Sequence, residues 1–253
     1  MGLRTRFDEQ AAGFDSRAGL GADIAREVAA AVFDFPHEAV LELGPGTGEL
    51  GRHLAAAARR YVGIDSSLPM LVEFARRQPP PRAVLVQADA GTTWPVRSGS
   101  VDLVFAARAA HLLEPDHLCA ELLGVCRPGG TFLVGRVERQ PDGLRNRLRQ
   151  RRWALLAEHG VRTGDGRGRD RRLFEALAGL DGAVAIRRRA AATWPIETSA
   201  DAVIAGWAGT GVAGGRPVPP EAAAAVLDRL RAEFAGQSEP ETETYTLEGI
   251  RLP

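Results

Sequence analysis

No lysine occurs anywhere in the 253 residues; all 32 basic residues are arginine. A Walker-type phosphate loop requires its lysine, and Schiff-base or pyridoxal-phosphate catalysis requires a lysine amine, so those classes are excluded. Cysteine is nearly absent as well. Cys119 and Cys126 lie seven apart in a stretch expected to be helical, about 10 Å along its axis. That separation is too long for a disulfide, and two thiols without neighbouring ligands make no zinc site; both read as small buried apolar residues. No apolar run approaches the roughly 18 residues needed to cross a bilayer. The opening segment has no apolar stretch behind it, as a secretory signal would, and Arg6 stands where an N-myristoylation signal needs Ser or Thr. A cytoplasmic protein without a membrane partner is the expectation.

Hydrophobic residues make up 45% and charged ones 25%, the composition of a soluble globular chain long enough to bury one sizeable core. The net charge is zero but unevenly spread. Residues 136–172 carry twelve arginines against five acids, while the C-terminal segment holds Glu239, Glu241, Glu243 and Glu248. Overall neutrality argues against a nucleic-acid partner.

One stretch carries most of the information. Glu38-Ala-Val-Leu-Glu-Leu-Gly-Pro-Gly-Thr-Gly48 runs from an apolar segment into a loop with glycine at every second position, and a helix-compatible segment follows. Strand, tight glycine turn and helix N-terminus together let a backbone approach a nucleotide-like ligand closely. Asp65 ends the next apolar run, Tyr61-Val-Gly-Ile64, twenty-one residues after Gly44. An acid there is placed to accept both hydroxyl protons of a ribose.

Strands and helices then alternate: strands at 39–43, 61–64, 83–87, 101–106 and 131–137, with helices at 48–59, 67–77 and 116–126. Arg127-Pro-Gly-Gly130 punctuates the last helix-to-strand step. The alternation predicts a parallel sheet with helices on both faces. Residues 7–33 read as two short helices. Later segments read as a helix at 141–159, a Gly/Arg loop, a helix near 171–179, a strand at 183–193, helices near 200–207 and 220–235, and a last strand at 242–252. Gly209 to Pro220 reads as a flexible loop.

These residues resemble the class I S-adenosylmethionine-dependent methyltransferases, most closely the small-molecule enzymes of quinone and natural-product biosynthesis. Val40–Gly48 is similar to the family's cofactor-cradling motif and Tyr61–Asp65 to its second strand. Gln87-Ala-Asp-Ala90 is similar to the adenine-contacting segment, and Val101–Phe105 through His111-Leu-Leu113 to the fourth strand and the turn after it. Leu122–Gly130 looks like the helix end before strand five, and Phe7-Asp…Phe14-Asp-Ser-Arg17 like a helical cap. The resemblance covers residues 7–137 and implies a doubly wound α/β fold. Its mostly parallel seven-stranded sheet would carry an antiparallel last strand, a helical cap and late helical insertions. It further implies one domain: cap 1–35, cofactor core 36–137, lid insertion 138–172 and sheet completion 173–253.

The implied cofactor is S-adenosyl-L-methionine. Gly44, Pro45, Gly46 and Gly48, with Glu42 behind them, would hold its methionine end; Asp65 and Ser66 the ribose; Asp89, Ala90 and Met70 the adenine; Phe14 would close the site. Arg17 and Arg108 are candidates for its carboxylate, against a reading as solvated surface arginines. His111 is the candidate general base, because it should follow strand four beside the transferred methyl; a turn-capping or pocket-shaping histidine is the alternative. The arginine-rich segment reads either as a clamp on an anionic acceptor or as a solvated face paired with the acidic C-terminus.

Two rival functions remain. A cofactor-binding module without catalysis fits the lack of a decisive catalytic residue. A NAD-dependent oxidoreductase fits Gly46-Thr-Gly-Glu-Leu-Gly51, which spells G-x-G-x-x-G, although its first glycine falls two residues after Gly44. Base methylation of DNA has no support: Ala107-Arg-Ala-Ala110 replaces the acid-or-amide–Pro–Pro–aromatic motif, and neither cysteine follows a proline.

Overall fold

The computed structural model describes residues 8, 19–161, 167–208, 212–213 and 216–253. The first of the two expected N-terminal helices, with Phe14 and Arg17, lies outside the described residues. The second is α1, Ala22–Val32, whose Ala25, Val28, Ala29 and Val32 are buried at helical spacing.

A sheet of seven strands forms the frame, in the order β3-β2-β1-β4-β5-β9-β6. Its members are β1 (Ala39–Leu43), β2 (Arg60–Asp65), β3 (Ala83–Gln87), β4 (Val101–Ala107), β5 (Cys126–Arg139), β6 (Val184–Ser199) and β9 (Ser238–Arg251). Strands β1 to β5 pair in parallel. The last strand runs the other way: Leu252 N–H donates to Gly130 O at 2.8 Å, while Tyr245, seven residues earlier, lies at Gly135 farther along β5. The antiparallel last strand implied by the family resemblance is therefore present. Helices α2 (Gly51–Ala57), α3 (Leu68–Arg76) and α4 (Pro115–Val125) connect the parallel strands.

Local chemistry accounts for these elements. Every residue of β1 is buried, as in a strand covered on both faces. Ser67 caps α3, its hydroxyl accepting from Met70 N–H, and Met70, Leu71 and Phe74 face inward. Asp102 on β4 accepts from Ala39 N–H at 2.8 Å and pairs with Arg127, so the arginine of the Arg-Pro-Gly-Gly turn ties the end of α4 to the sheet. A Cβ at Gly130 would press on the Arg127 carbonyl at 2.9 Å.

Some boundaries differ from expectation. Cys126 does not share a helix with Cys119; it begins β5, because the helix stops before Pro128, and both thiols are buried and free. β5, β6 and β9 are longer than their apolar runs, since alternating Arg, Glu and Thr side chains extend them. Within the expected loop after residue 208, Val212–Ala213 (β7) and Arg216–Pro217 (β8) pair as a two-stranded ribbon.

The chain divides into two compact units. The first comprises the described residues up to Arg136, then Arg169–Ala192 and Tyr245–Pro253; the second comprises Val137–Gly168 and Thr193–Thr244. Strands β5, β6 and β9 each change unit along their length. The first unit's core gathers Leu41, Ile64, Val104, Phe132, Leu122 and Ile250, joined by Leu173 and Leu177 from α6 (Arg167–Ala178).

The second unit packs α5 (Leu144–Glu158), α7 (Ala200–Trp207) and α8 (Pro220–Phe234) around Leu148, Leu155, Leu156, Ile204, Val226 and Leu230. Arg147 and Arg151 of α5 and Arg229 of α8 pair with acids. Arg147 grips Glu239 and Arg151 grips Glu233 through two hydrogen bonds each, and Arg229 reaches Glu158 at 2.9 Å. Arg149 lies 5.1 Å from the Trp153 ring and Arg152 4.8 Å from that of Trp207. No helix among the described residues is long and apolar enough to cross a membrane.

Candidate functional site

At the carboxyl ends of the parallel strands, the first unit encloses a cavity of about 640 Å³. Ligands of open α/β sheets bind at this edge, and the size is that of a nucleotide-scale pocket. The structure brings most of the expected residues to its wall: Glu42, Gly44, Pro45, Gly46, Asp65, Ser66, Met70, Asp89, Ala90 and Arg108. Gly48 and His111 are not among the lining residues. His111 sits exposed on a single 3-10 turn, Ala110–Leu112.

The loop after β1 explains its glycines. Gly44, Gly46 and Gly48 all have positive φ, at 67°, 57° and 78°. Gly46 faces open space, whereas a Cβ on Gly48 would overlap the Phe74 ring. Gly48 therefore seats α3 against the loop, and Gly46 leaves the backbone bare towards the cavity. Gly46 N–H donates to Asp65 Oδ2 at 3.0 Å, and Ser67 N–H donates to Oδ1 at 2.9 Å. Burial raises the Asp65 pKa, and these two backbone hydrogen bonds partly offset it.

Glu42 is buried behind the loop, and no cation pairs with it among the described residues. Tyr61 Oη donates to its Oε2 at 2.5 Å. Burial pushes the carboxyl up to about 7, against the lowering effect of the Tyr61 hydrogen bond and with a further rise from Asp65. Gly51 makes room for this pair, since a Cβ there would stand 2.5 Å from Tyr61 Oη and 2.7 Å from Glu42 Oε2. The third glycine of the apparent G-x-G-x-x-G thus serves packing around Glu42 and Tyr61.

On the adenine side of the expectation, Asp89 Oδ1 accepts from Gly91 N–H at 2.8 Å, which shapes the turn. The Ala90 carbonyl is held by Trp94 Nε1 at 2.9 Å, with His117 Nε2 within 3.1 Å. Met70 is buried at the wall. Arg108 is one of two non-glycine residues with positive φ among the described residues, at 58°. A conformation that costs a side chain of order 1 kcal/mol persists where the surroundings hold it, and such positions cluster at functional sites. Its N–H donates to the Gly135 carbonyl at 3.1 Å.

Sequence reasoning did not single out Leu20, Glu49, Leu112 or Tyr245, all of which line the cavity. Glu49 Oε1 accepts from the N–H groups of Leu20 and Gly21, which ties the start of α1 to the glycine loop. The capping-type pattern of an acid just after the loop was the available signal for Glu49; Tyr245, some two hundred residues from the motif, had none. Among the described residues no cluster of His, Cys, Asp and Glu could hold a metal.

Fold and cavity define a doubly wound, Rossmann-like α/β protein with an open cavity at the carboxyl edge of its parallel strands. Residues 41–134 match the family described as a methyltransferase domain. The trans-aconitate 2-methyltransferase of Deinococcus radiodurans is 36% identical over 117 residues, 44% of this chain and 42% of its own. Among solved structures, a methyltransferase-family protein from Bacillus halodurans superposes with a TM-score of 0.57 at 17% identity, covering 92% of this chain and 100% of that one. The cyclase SpnF superposes with a TM-score of 0.59 at 17% identity, covering 99% and 96%. The curated relatives are matched over less than half of their own length. Residues 41–134 are thus similar to a methyltransferase domain, on a Rossmann-like fold shared with those solved structures.

Proposed function

We propose that the protein transfers a methyl group from S-adenosyl-L-methionine to a small-molecule acceptor at O, N or C. The observation that carries this reading is the convergence of Gly44, Gly46, Asp65 and Asp89 on one cavity of about 640 Å³, with bare backbone at Gly46 and a carboxylate at the end of β2. These groups fit the cofactor. Asp65 would take the ribose hydroxyls, Asp89 and Ala90 the adenine edge, with Met70 against its face, and the loop backbone the methionine end. Bound there, the cofactor supplies a methyl carbon already made electrophilic by sulfonium, so the protein's part is to bind, orient and exclude water. Arg108 adds positive charge at the β4 end of the cavity.

The lining of the cavity contains no histidine, cysteine or lysine among the described residues, which favours a second reading: a cofactor-binding protein that does not transfer methyl. The same fold is shared by a cyclase, and fold alone does not specify chemistry. Incubation with S-adenosylmethionine and a library of small acids, phenols and amines, read by mass spectrometry, separates the two. A methylated product together with S-adenosylhomocysteine supports transfer; cofactor binding without consumption across the library supports the second reading. His111→Ala is expected to keep turnover within about threefold of wild type, because that side chain is outside the cavity wall.

A further inference from the structure

Tyr245 is the buried cavity residue that cofactor binding leaves unused. It stands on β9 beside Gly135 of β5, where a Cβ would overlap its hydroxyl, so the phenol lies over that glycine. The carbonyl of the same Gly135 accepts from Arg108 N–H. Three adjacent strands thus bring the Tyr245 hydroxyl and the backbone of Arg108 onto one residue, and both residues line the cavity. The Tyr245 hydroxyl is fully buried and has no hydrogen-bond partner among the described residues. Burying a hydroxyl unpaired is unfavourable, so a bound group that accepts its proton would recover that loss.

Position decides which ligand it meets. Asp65 ends β2 and Asp89 follows β3, on the far side of β1 from Tyr245, and the proposed adenosine site lies there. The β5–β9 side is left for the acceptor. Charge decides the acceptor's chemistry. Burial keeps the phenol protonated around neutral pH, which makes it a donor, and the Arg108 guanidinium bears on it electrostatically. The nearby acids oppose an anion only weakly: Glu42 is held by Tyr61 and carries its proton up to about pH 7, and Glu49 Oε1 is engaged by two backbone N–H groups.

We propose that Tyr245, beside Arg108, selects the methyl acceptor: its hydroxyl donates a hydrogen bond to an acceptor carboxylate, and the product is a methyl ester. This inference rests on the proposed cofactor reading. In the step, a carboxylate oxygen attacks the sulfonium methyl carbon; the C–O bond forms as the C–S bond breaks, and its electron pair stays on sulfur as a neutral thioether. Carboxylate and sulfonium charges cancel and no proton moves. No general base is required, in keeping with a cavity wall that holds no histidine among the described residues.

The test is calorimetry on the full chain saturated with S-adenosylhomocysteine, titrated with benzoate, succinate and tricarballylate and with their neutral methyl esters. At least one carboxylate is expected to bind more tightly than its ester. Tyr245→Phe is expected to lower that affinity about tenfold, the scale of one hydrogen bond to a charged group, and to erase part of the acid-over-ester preference. S-adenosylhomocysteine affinity should stay within twofold of wild type, and the melting temperature of the ligand-free variant should be unchanged or raised, since the hydroxyl has no internal partner. Equal carboxylate affinity in wild type and variant overturns the proposal, as does silence from all three carboxylates. A matching loss of S-adenosylhomocysteine affinity in Tyr245→Phe also overturns it, by placing the phenol on the cofactor. Failure of wild type to bind S-adenosylhomocysteine at all is a different result: it removes the cofactor reading, and this inference with it.

Discussion

Two acids of the cavity and two acids of the second unit are pushed in opposite directions. Glu42 and Asp65 sit at the glycine loop with raised pKa values, because burial outweighs the hydrogen bonds they receive. Glu233 and Glu239 are lowered, first by hydrogen bonds from Arg151 and Arg147. The same side-chain chemistry is thus withdrawn from water, wholly at Glu42 and partly at Asp65, with no cation paired to it among the described residues, and solvated and paired in the other place. Dry, cation-free carboxylates persist where a ligand or a specific geometry requires them, whereas exposed arginine–carboxylate pairs contribute little to stability one at a time. The division also sorts the arginine-rich segment. Its guanidiniums at 147 and 151 are engaged by the acidic C-terminal half of their own unit, so their abundance is no sign of a binding site.

That comparison can be broken in several places. The largest effect should come from Gly48→Ala, which combines a left-handed backbone with a collision against Phe74 beneath the loop. A loss of about 3 kcal/mol in urea denaturation is expected. A wild-type midpoint would mean that the loop is not packed against α3 as described.

Glu42→Gln sharpens the contrast through pH. The Glu42 pKa in the folded chain is raised to about 7 from 4.5, so the folded state keeps a proton that the unfolded state has released. Stability from this group is fully present below about pH 4.5 and is lost as pH rises through 7. Glutamine keeps an acceptor for Tyr61 and cannot ionise. The ligand-free variant should therefore equal wild type near pH 4.5 and exceed it by about 2 kcal/mol at pH 8.5, read from melting curves across that range. A constant offset at all pH values would show that Glu42 is not dry.

Arg151→Ala sits at the small end. Its partner Glu233 is exposed to solvent, and the expected change in melting temperature at physiological salt is within measurement error. A drop of many degrees would show that the pair organises the second unit, and the distinction between the two regions would fail.

The glycine-loop side of the cavity was legible in the sequence because short-range chemistry dictates it. Gly44-Pro-Gly-Thr-Gly48 has to turn, Asp65 has to end an apolar strand, and parallel pairing in β1, β2 and β3 brings both to one edge. The strand starts at Ala39 and Ala83 were equally plain, since continuous apolar runs leave few alternatives. The β5–β9 side of the cavity was hidden. Tyr245 reaches the cavity through an antiparallel strand whose neighbour is β5, a pairing that no local pattern in Thr242 to Leu252 announces. Gly48 and Gly51 looked like ligand-facing glycines of a motif; only the packing shows that they make room for Phe74 and for the Tyr61–Glu42 pair. His111 followed strand four as expected, yet the 3-10 turn leaves it on the surface beside a cavity lined instead by its neighbours Leu112 and Leu113.

The most direct test of the central claim is calorimetric titration of the chain with S-adenosylmethionine, S-adenosylhomocysteine and NAD, on wild type and Asp65→Ala. The account predicts binding of both sulfur compounds, weakened about a hundredfold in Asp65→Ala through loss of two ribose hydrogen bonds to a carboxylate, and no response to NAD. Binding of NAD alone, or sulfur-compound affinity indifferent to Asp65, would contradict it.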